Sequence, residues 1–166
     1  QKLLHTIKGT DMELPVLLAA FGPMRRGEIS ALNTANIAGN TVHVCENMVL
    51  AQNGQWIIKT PKSYAGDRFI DFPDFVADKW AGKEGRVVDL TPDVISKRFT
   101  RRLNSAGLHH FRFHDLRHYS ASMMHAMGIP DAYIMQRGGW GNDGVLKSVY
   151  RHTLDTNTKE FNQAAN

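Results

Sequence analysis

Tyr150 ends a C-terminal series of polar groups suited to phosphate chemistry: His114, Arg117, His118 and Trp140 precede it, and Arg25 and Lys62 stand earlier in the chain. A phosphodiester attacked by a phenol needs cations on its non-bridging oxygens, a proton acceptor near the hydroxyl and a proton donor near the leaving oxygen. The set holds candidates for each role, and none of the roles requires a metal ion.

In His114-Asp115-Leu116-Arg117-His118 the histidines fall at i and i+4 and Arg117 at i+3, so all three share one face of a helix. Zinc helices use the same histidine spacing. Here the glutamate of a His-Glu-x-x-His motif is missing, the single cysteine, Cys45, lies far away in sequence, and an arginine among the ligands would repel a cation. For this segment alone, a helix with partly exposed histidines on its polar face is the plain alternative.

Such residues need a scaffold. Thr10 and Glu13 have capping-box spacing, which predicts a helix running through Val16–Phe21 and stopping at Gly22-Pro23, with Pro15 in its first turn. Helix resumes from Met24 to Leu32. Val42 and Val44 then alternate with polar residues, Asn53-Gly54 signals a tight turn, Trp56-Ile57-Ile58 begins a returning strand, and Arg68-Phe69-Ile70-Asp71-Phe72 makes the next. After Pro73 the pattern predicts a short helix near Phe75 to Trp80, a brief strand from Arg86 to Leu90 and a helix from Thr91-Pro92-Asp93 to Ala106-Gly107. Val94, Ile95, Phe99 and Leu103 give that helix an apolar side, while Lys97, Arg98, Arg101 and Arg102 crowd together as either a solvated face or a DNA-backbone footprint. Further helices are predicted over His114 to Met127, closed by Gly128, over Pro130 to Gln136, over Gly144 to Tyr150, and in the tail from Asp155. The fold class is α+β, a mostly helical domain with a small antiparallel sheet.

With 166 residues, 42% of them hydrophobic, the chain fits one domain with a sizeable core and is too apolar for a disordered segment. Its net charge of +4 favours an anionic partner. A lone Cys45 in a probable strand reads as a small buried hydrophobe in a reducing, intracellular setting. No apolar run approaches the roughly 20 residues of a membrane span, and Gln1-Lys2-Leu3-Leu4 does not open a signal peptide. The absence of an initiator methionine points to a fragment with other domains before Gln1.

His114-x-x-Arg117-His118 resembles the H-x-x-R-H box of the tyrosine recombinases, the phage-integrase family. Met24-Arg25-Arg26-Gly27-Glu28-Ile29-Ser30-Ala31-Leu32 resembles the family's arginine box. Lys62-Ser63 followed by Arg68-Phe69-Ile70 is similar to the hairpin that delivers its lysine, and Gly139-Trp140 with Tyr150-Arg151-His152 resembles its last two boxes. The likeness runs from about Asp11 to Thr153 and covers the catalytic domain, 1–166 here, without the N-terminal DNA-binding domain that members carry.

That resemblance implies roles. Arg25 and Arg117 would clamp the scissile phosphate, a task matched to guanidinium forks, with Arg26 the local competitor of Arg25. Lys62 would protonate the departing 5′ oxygen, with Lys59 the alternative. His114 would accept a proton or hydrogen-bond the phosphate, His118 would support the helix or the nucleophile, and Glu28 would orient Arg25 or another basic group. Trp140 stands where most members have histidine; its indole can donate one hydrogen bond but cannot shuttle a proton. Tyr150 would be the nucleophile over Tyr64, Tyr119 and Tyr133, since Tyr119 is expected to pack and Tyr133 to be a buried phenol.

The activity implied is site-specific DNA recombination through a 3′-phosphotyrosine, for a phage or mobile element, with no cofactor, metal or ATP. A type IB topoisomerase-like module and a non-catalytic DNA-binding module are the alternatives. Implied partners are double-stranded DNA, three further copies in a tetramer on paired sites, and accessory DNA-bending proteins; the fragment alone would be monomeric. The implied setting is the cytoplasm of a bacterial host.

Overall fold

Apolar residues decide which helix lies at the centre. The computed structural model describes residues 2–61, 64–144 and 146–148. Its helices are α1 (Lys2–Ile7), α2 (Glu13–Phe21), α3 (Arg26–Ala31), α4 (Asp74–Ala77), α5 (Pro92–Ser105), α6 (Asp115–Ala126) and α7 (Asp131–Gly138). α2 buries Leu14, Val16, Leu17, Leu18 and Ala19, and α3, α4 and α6 pack against it. α5 buries Pro92 at its start and then the stripe Ile95, Phe99 and Leu103, leaving Lys97, Arg98 and Arg101 exposed. Phe99 meets the rings of Phe111 and Phe113 edge-on, each at 5.3 Å, and so joins α5 to the segment before α6.

The described residues also form five short strands: β1 (Ile37–Ala38), β2 (Thr41–Val44), β3 (Asn47–Leu50), β4 (Trp56–Lys59) and β5 (Arg68–Asp71). They form two sheets where the sequence predicts one. β1, β2 and β5 make an antiparallel three-stranded sheet, and β3 and β4 make a separate hairpin over the Asn53-Gly54 turn. β3, absent from the sequence reading, takes the partner expected for β2. In the larger sheet Val42 pairs with Ile70 and Val44 with Arg68. Alternation along β5 therefore turns Arg68 inward with Ile70, and both are buried.

Two other expectations change. The predicted capping box at Thr10 does not form, because Thr10 Oγ1 donates to Ile7 O while Glu13 accepts from Gly9 N and pairs with Lys79. The predicted strand from Arg86 to Leu90 shrinks to one bridge between Arg86 and Asn33. Val87 and Val88 are both buried, which a two-residue period cannot arrange. The sequence pattern does not predict α1. Gly144 and residues 146–148 are helical as expected, whereas Lys62, Tyr150 and the expected tail helix lie outside the described residues. No described helix is long and apolar enough to cross a membrane.

Candidate active site

Arg25 sits at the N-cap of α3, where Gly22-Pro23 breaks the chain after α2 and buried Met24 anchors the turn. Its backbone N–H donates to Glu28 Oε2 at 2.7 Å, Nη1 donates to Glu28 Oε1 at 2.8 Å and Nη2 to Gly139 O at 2.7 Å. The Arg25 side chain as a whole keeps 38% of its surface exposed. Arg26 faces the other way and donates to Ser96 Oγ on α5.

Arg117 lies on the inward face of α6 with Leu116, Ser120, Ala121 and Met124, and is 1% exposed. Nη1 donates to Pro23 O, and the guanidinium carbon stands 4.6 Å from the centre of the Trp140 ring. Among the described residues its Nε has no partner. Burial, then the neighbouring Arg25 charge, pushes its pKa from the ordinary 12.5 to about 9. A buried cation without its own carboxylate, facing a second cation, is an arrangement that an anion would complete.

His114 occupies the N-cap of α6 and His118 the next turn, their rings 5.0 Å apart and edge-on. Partial enclosure by protein, then the charges of Arg117 and His118, lowers the His114 pKa from 6.5 to about 4, although the residue is exposed. His114 is therefore neutral near pH 7 and able to accept a proton. Burial also lowers His118, whose Nδ1 is buried without a partner among the described residues. No three of His, Cys, Asp and Glu stand together as metal ligands among the described residues.

Trp140 is 7% exposed and packs with Ala121, Met124, Ile134 and Leu146 in a second apolar cluster. It is both a core aromatic and the lid over Arg117. Two glycines allow this. A Cβ on Gly138 would lie 2.0 Å from Trp140 Cζ3, and Gly139, with φ +66°, turns the chain in the left-handed region close against Arg68 and Ala65 O.

The structure thus brings together Arg25, Glu28, His114, Arg117, His118 and Trp140. It does not bring Lys97, Arg98, Arg101 and Arg102 to them: Arg98 and Arg102 pair with Asp11 near the start of α2, and Lys97 pairs with Asp93. Lys59 ends β4 opposite Asn47. Tyr119 and Tyr133, expected to pack, are 60% and 49% exposed. Tyr119, two residues after Arg117, is turned by roughly 200° around α6, and both tyrosines line an apolar groove with Met123, Met127 and Phe21.

Sequence reasoning assigned no role to Arg68 or Arg137. Arg68, 4% exposed, donates Nη1 and Nη2 to the two oxygens of Glu28 at 3.0 and 2.9 Å and Nε to Arg137 O at 2.8 Å. Arg137 Nη2 in turn donates to Phe21 O and Asp71 O, tying α7 to α2 and β5. Burial raises the Glu28 pKa, but the Arg68 fork and the two arginine charges outweigh it and hold the carboxyl below its ordinary value. For Arg68 the sequence does carry a signal, its shared strand face with Ile70 and Phe72.

Known proteins match this architecture. An integrase of Salmonella phage P22 is 47% identical over 58 residues, which make up 35% of this chain and 15% of that protein. An integrase of Saccharopolyspora erythraea is 26% identical over 102 residues, 60% of this chain and 23% of its own length. The chain therefore corresponds to a minor part of each of these relatives. Among solved structures, the Tn1549 transposon integrase in complex with transposon right end DNA has a TM-score of 0.75 at 14% identity, covering 99% of this chain and 63% of that one. XerA recombinase has a TM-score of 0.69 at 14% identity, covering 93% of this chain and 61% of its own. These likenesses give the fold, that of tyrosine recombinase catalytic domains. The profile of the phage integrase family matches residues 2–157, and the chain belongs to that family.

Proposed function

We propose that the chain is the catalytic part of a site-specific DNA recombinase, and that Arg25 and Arg117 receive the scissile phosphate. One observation carries this: a buried Arg117 with an Nε unpaired among the described residues and a depressed pKa beside Arg25, a cationic site that a phosphodiester would complete. Tyr150 Oη attacks the phosphorus, the P–O5′ bond breaks, and Lys62 gives the leaving 5′ oxygen its proton while His114 accepts the phenol's. A 3′-phosphotyrosine and a free 5′-hydroxyl result. Attack by the 5′-hydroxyl of a partner duplex reverses the step, so the ester's free energy is retained and neither ATP nor a metal ion is consumed. Exchange between two duplexes calls for four copies on paired sites, and lambda integrase, a structural neighbour with a TM-score of 0.59, forms a tetramer bound to a Holliday junction.

The test uses a pool of nicked duplexes of random sequence, labelled at the 5′ end of the nicked strand, the part that a 3′-phosphotyrosine retains, with EDTA present. The chain should form an adduct that survives boiling in detergent, and Tyr150→Phe, which removes one oxygen and little volume, should form none. An adduct from the phenylalanine variant moves the nucleophile to another tyrosine. No adduct from wild type on any duplex leaves a DNA-binding module as the better account.

A further inference from the structure

Arg25 makes two side-chain hydrogen bonds within the described structure, to Glu28 Oε1 and to Gly139 O. Arg68 holds both acceptors. Its fork meets the Glu28 carboxylate in a bidentate pair, so Oε1 takes Arg68 Nη1 and Arg25 Nη1, while Oε2 takes Arg68 Nη2 and the Arg25 backbone N–H. Such a pair fixes the plane of the carboxylate as well as its place. Arg68 Nε also fixes Arg137 O, two residues before Gly139, and a Cβ on Gly139 would lie 2.9 Å from Arg68 Nη1, so the Gly139 turn rests on the same guanidinium.

A third arginine beside Arg25 and Arg117 adds repulsion, since Arg68 is among the charges that depress the pKa of Arg117. A strand-to-helix staple alone would not need that charge there, and an apolar pair would fill the space without it. We infer that Arg68 is a positioning residue for the phosphate clamp: through Glu28 and the Gly139 turn it sets the direction in which Arg25 presents its guanidinium. Lysine cannot substitute for it, because an ammonium is a point charge that offers no planar fork to two oxygens at once. This inference rests on the recombinase reading of the site.

The test is a double-mutant cycle on the rate of covalent adduct formation, using wild type, Arg68→Lys, Arg25→Ala and the double variant, each assayed about 10 °C below its own melting temperature. Arg68→Lys should slow adduct formation by roughly 10–100-fold, the usual cost of removing a group that orients a ligating one. It should leave the dissociation constant for nicked DNA unchanged. In the Arg25→Ala background the lysine substitution should cost nothing further, because its effect passes through Arg25. On a duplex whose scissile phosphate is replaced by an uncharged methylphosphonate, the Arg68→Lys defect should shrink, since the clamped charge is gone.

Equal losses in both backgrounds, or a lysine variant as fast as wild type, would overturn the positioning role while leaving the recombinase reading intact. Should the lysine variant fail to fold, Arg68→Ala with added methylguanidinium takes its place. Refilling must then restore adduct formation when Arg25 is present and not when it is alanine; restoration in both backgrounds overturns the inference. If wild type itself forms no adduct, the recombinase reading falls and this inference with it.

Discussion

Replacing Glu28 by glutamine keeps the shape of a 5%-exposed side chain and removes the carboxylate shared by Arg25 and Arg68. Four donors converge on its two oxygens, at 2.7, 2.8, 2.9 and 3.0 Å. An amide offers one oxygen and turns an N–H₂ toward a guanidinium, so at least one contact becomes repulsive. Breaking a buried ion pair by removing one partner costs about 3–5 kcal/mol. For a domain of this size each kcal/mol moves the melting temperature by about 2–4 °C, so the variant should melt about 6–20 °C below wild type.

Acid narrows the gap. The folded carboxyl is held below its ordinary value of 4.5, so its stabilisation is present above that pH and is lost as pH falls through the lower folded value. Calorimetry at pH 7 and pH 3 reads both effects. Sulfate gives a further readout, because an anion lodged among Arg25, Arg68 and Arg117 stands in for the missing charge and should raise the variant's melting temperature more than wild type's. A shift below about 2 °C at pH 7 would refute the claim that Glu28 compensates this cluster, since it would imply well under the cost of an uncompensated buried charge.

Gly138→Ala should displace the indole of Trp140 from Arg117, at a cost of about 1–3 kcal/mol for overpacking, with a changed tryptophan emission spectrum and slower adduct formation. Gly141→Ala, with no atom within 4 Å of the added carbon, is the matched control and should do neither. The His114 ring, followed by NMR, should titrate near pH 4 in the free chain and shift upward when DNA binds, because a nearby anion favours imidazolium; an unmoved midpoint would place the phosphate elsewhere. Lys62→Ala should recover cleavage on a substrate with a 5′-bridging sulfur, whose thiolate leaves without a proton, and failure to recover would pass the role to Lys59 or another donor.

The local signals in the sequence were strong where one short stretch determines the outcome. Pro92 opens α5, Gly22-Pro23 closes α2, and the i, i+3, i+4 spacing of His114, Arg117 and His118 places them on one side of α6 as expected. Signals failed where a distant partner decides. Thr10 and Glu13 have the spacing of a cap, but Lys79 takes the glutamate. β2 pairs with β5 and not with β4, a choice set by a strand that the alternation did not reveal. Tyr119 and Tyr133 follow an apolar pattern yet remain at the surface, since the groove between their helices is open in this chain.

Arg68 shows why the site was only half legible. Its alternation with Ile70 and Phe72 assigns it to the core face, while its charge argues for the surface, and the sequence alone gives no way to weigh the two. Glu28, 40 residues away, decides the matter. The same carboxylate then leaves a charge imbalance that cannot be seen in any single motif: Arg25, Arg68 and Arg117 gather around one buried acid, and Arg117 retains an unpaired Nε among the described residues. A fold that needed only stability would pair these cations or replace them with apolar groups. On the proposed function, the cation in excess, buried beside a neutral His114 and under Trp140, stores a binding energy that is released when the two non-bridging oxygens of a phosphodiester arrive between Arg25 and Arg117.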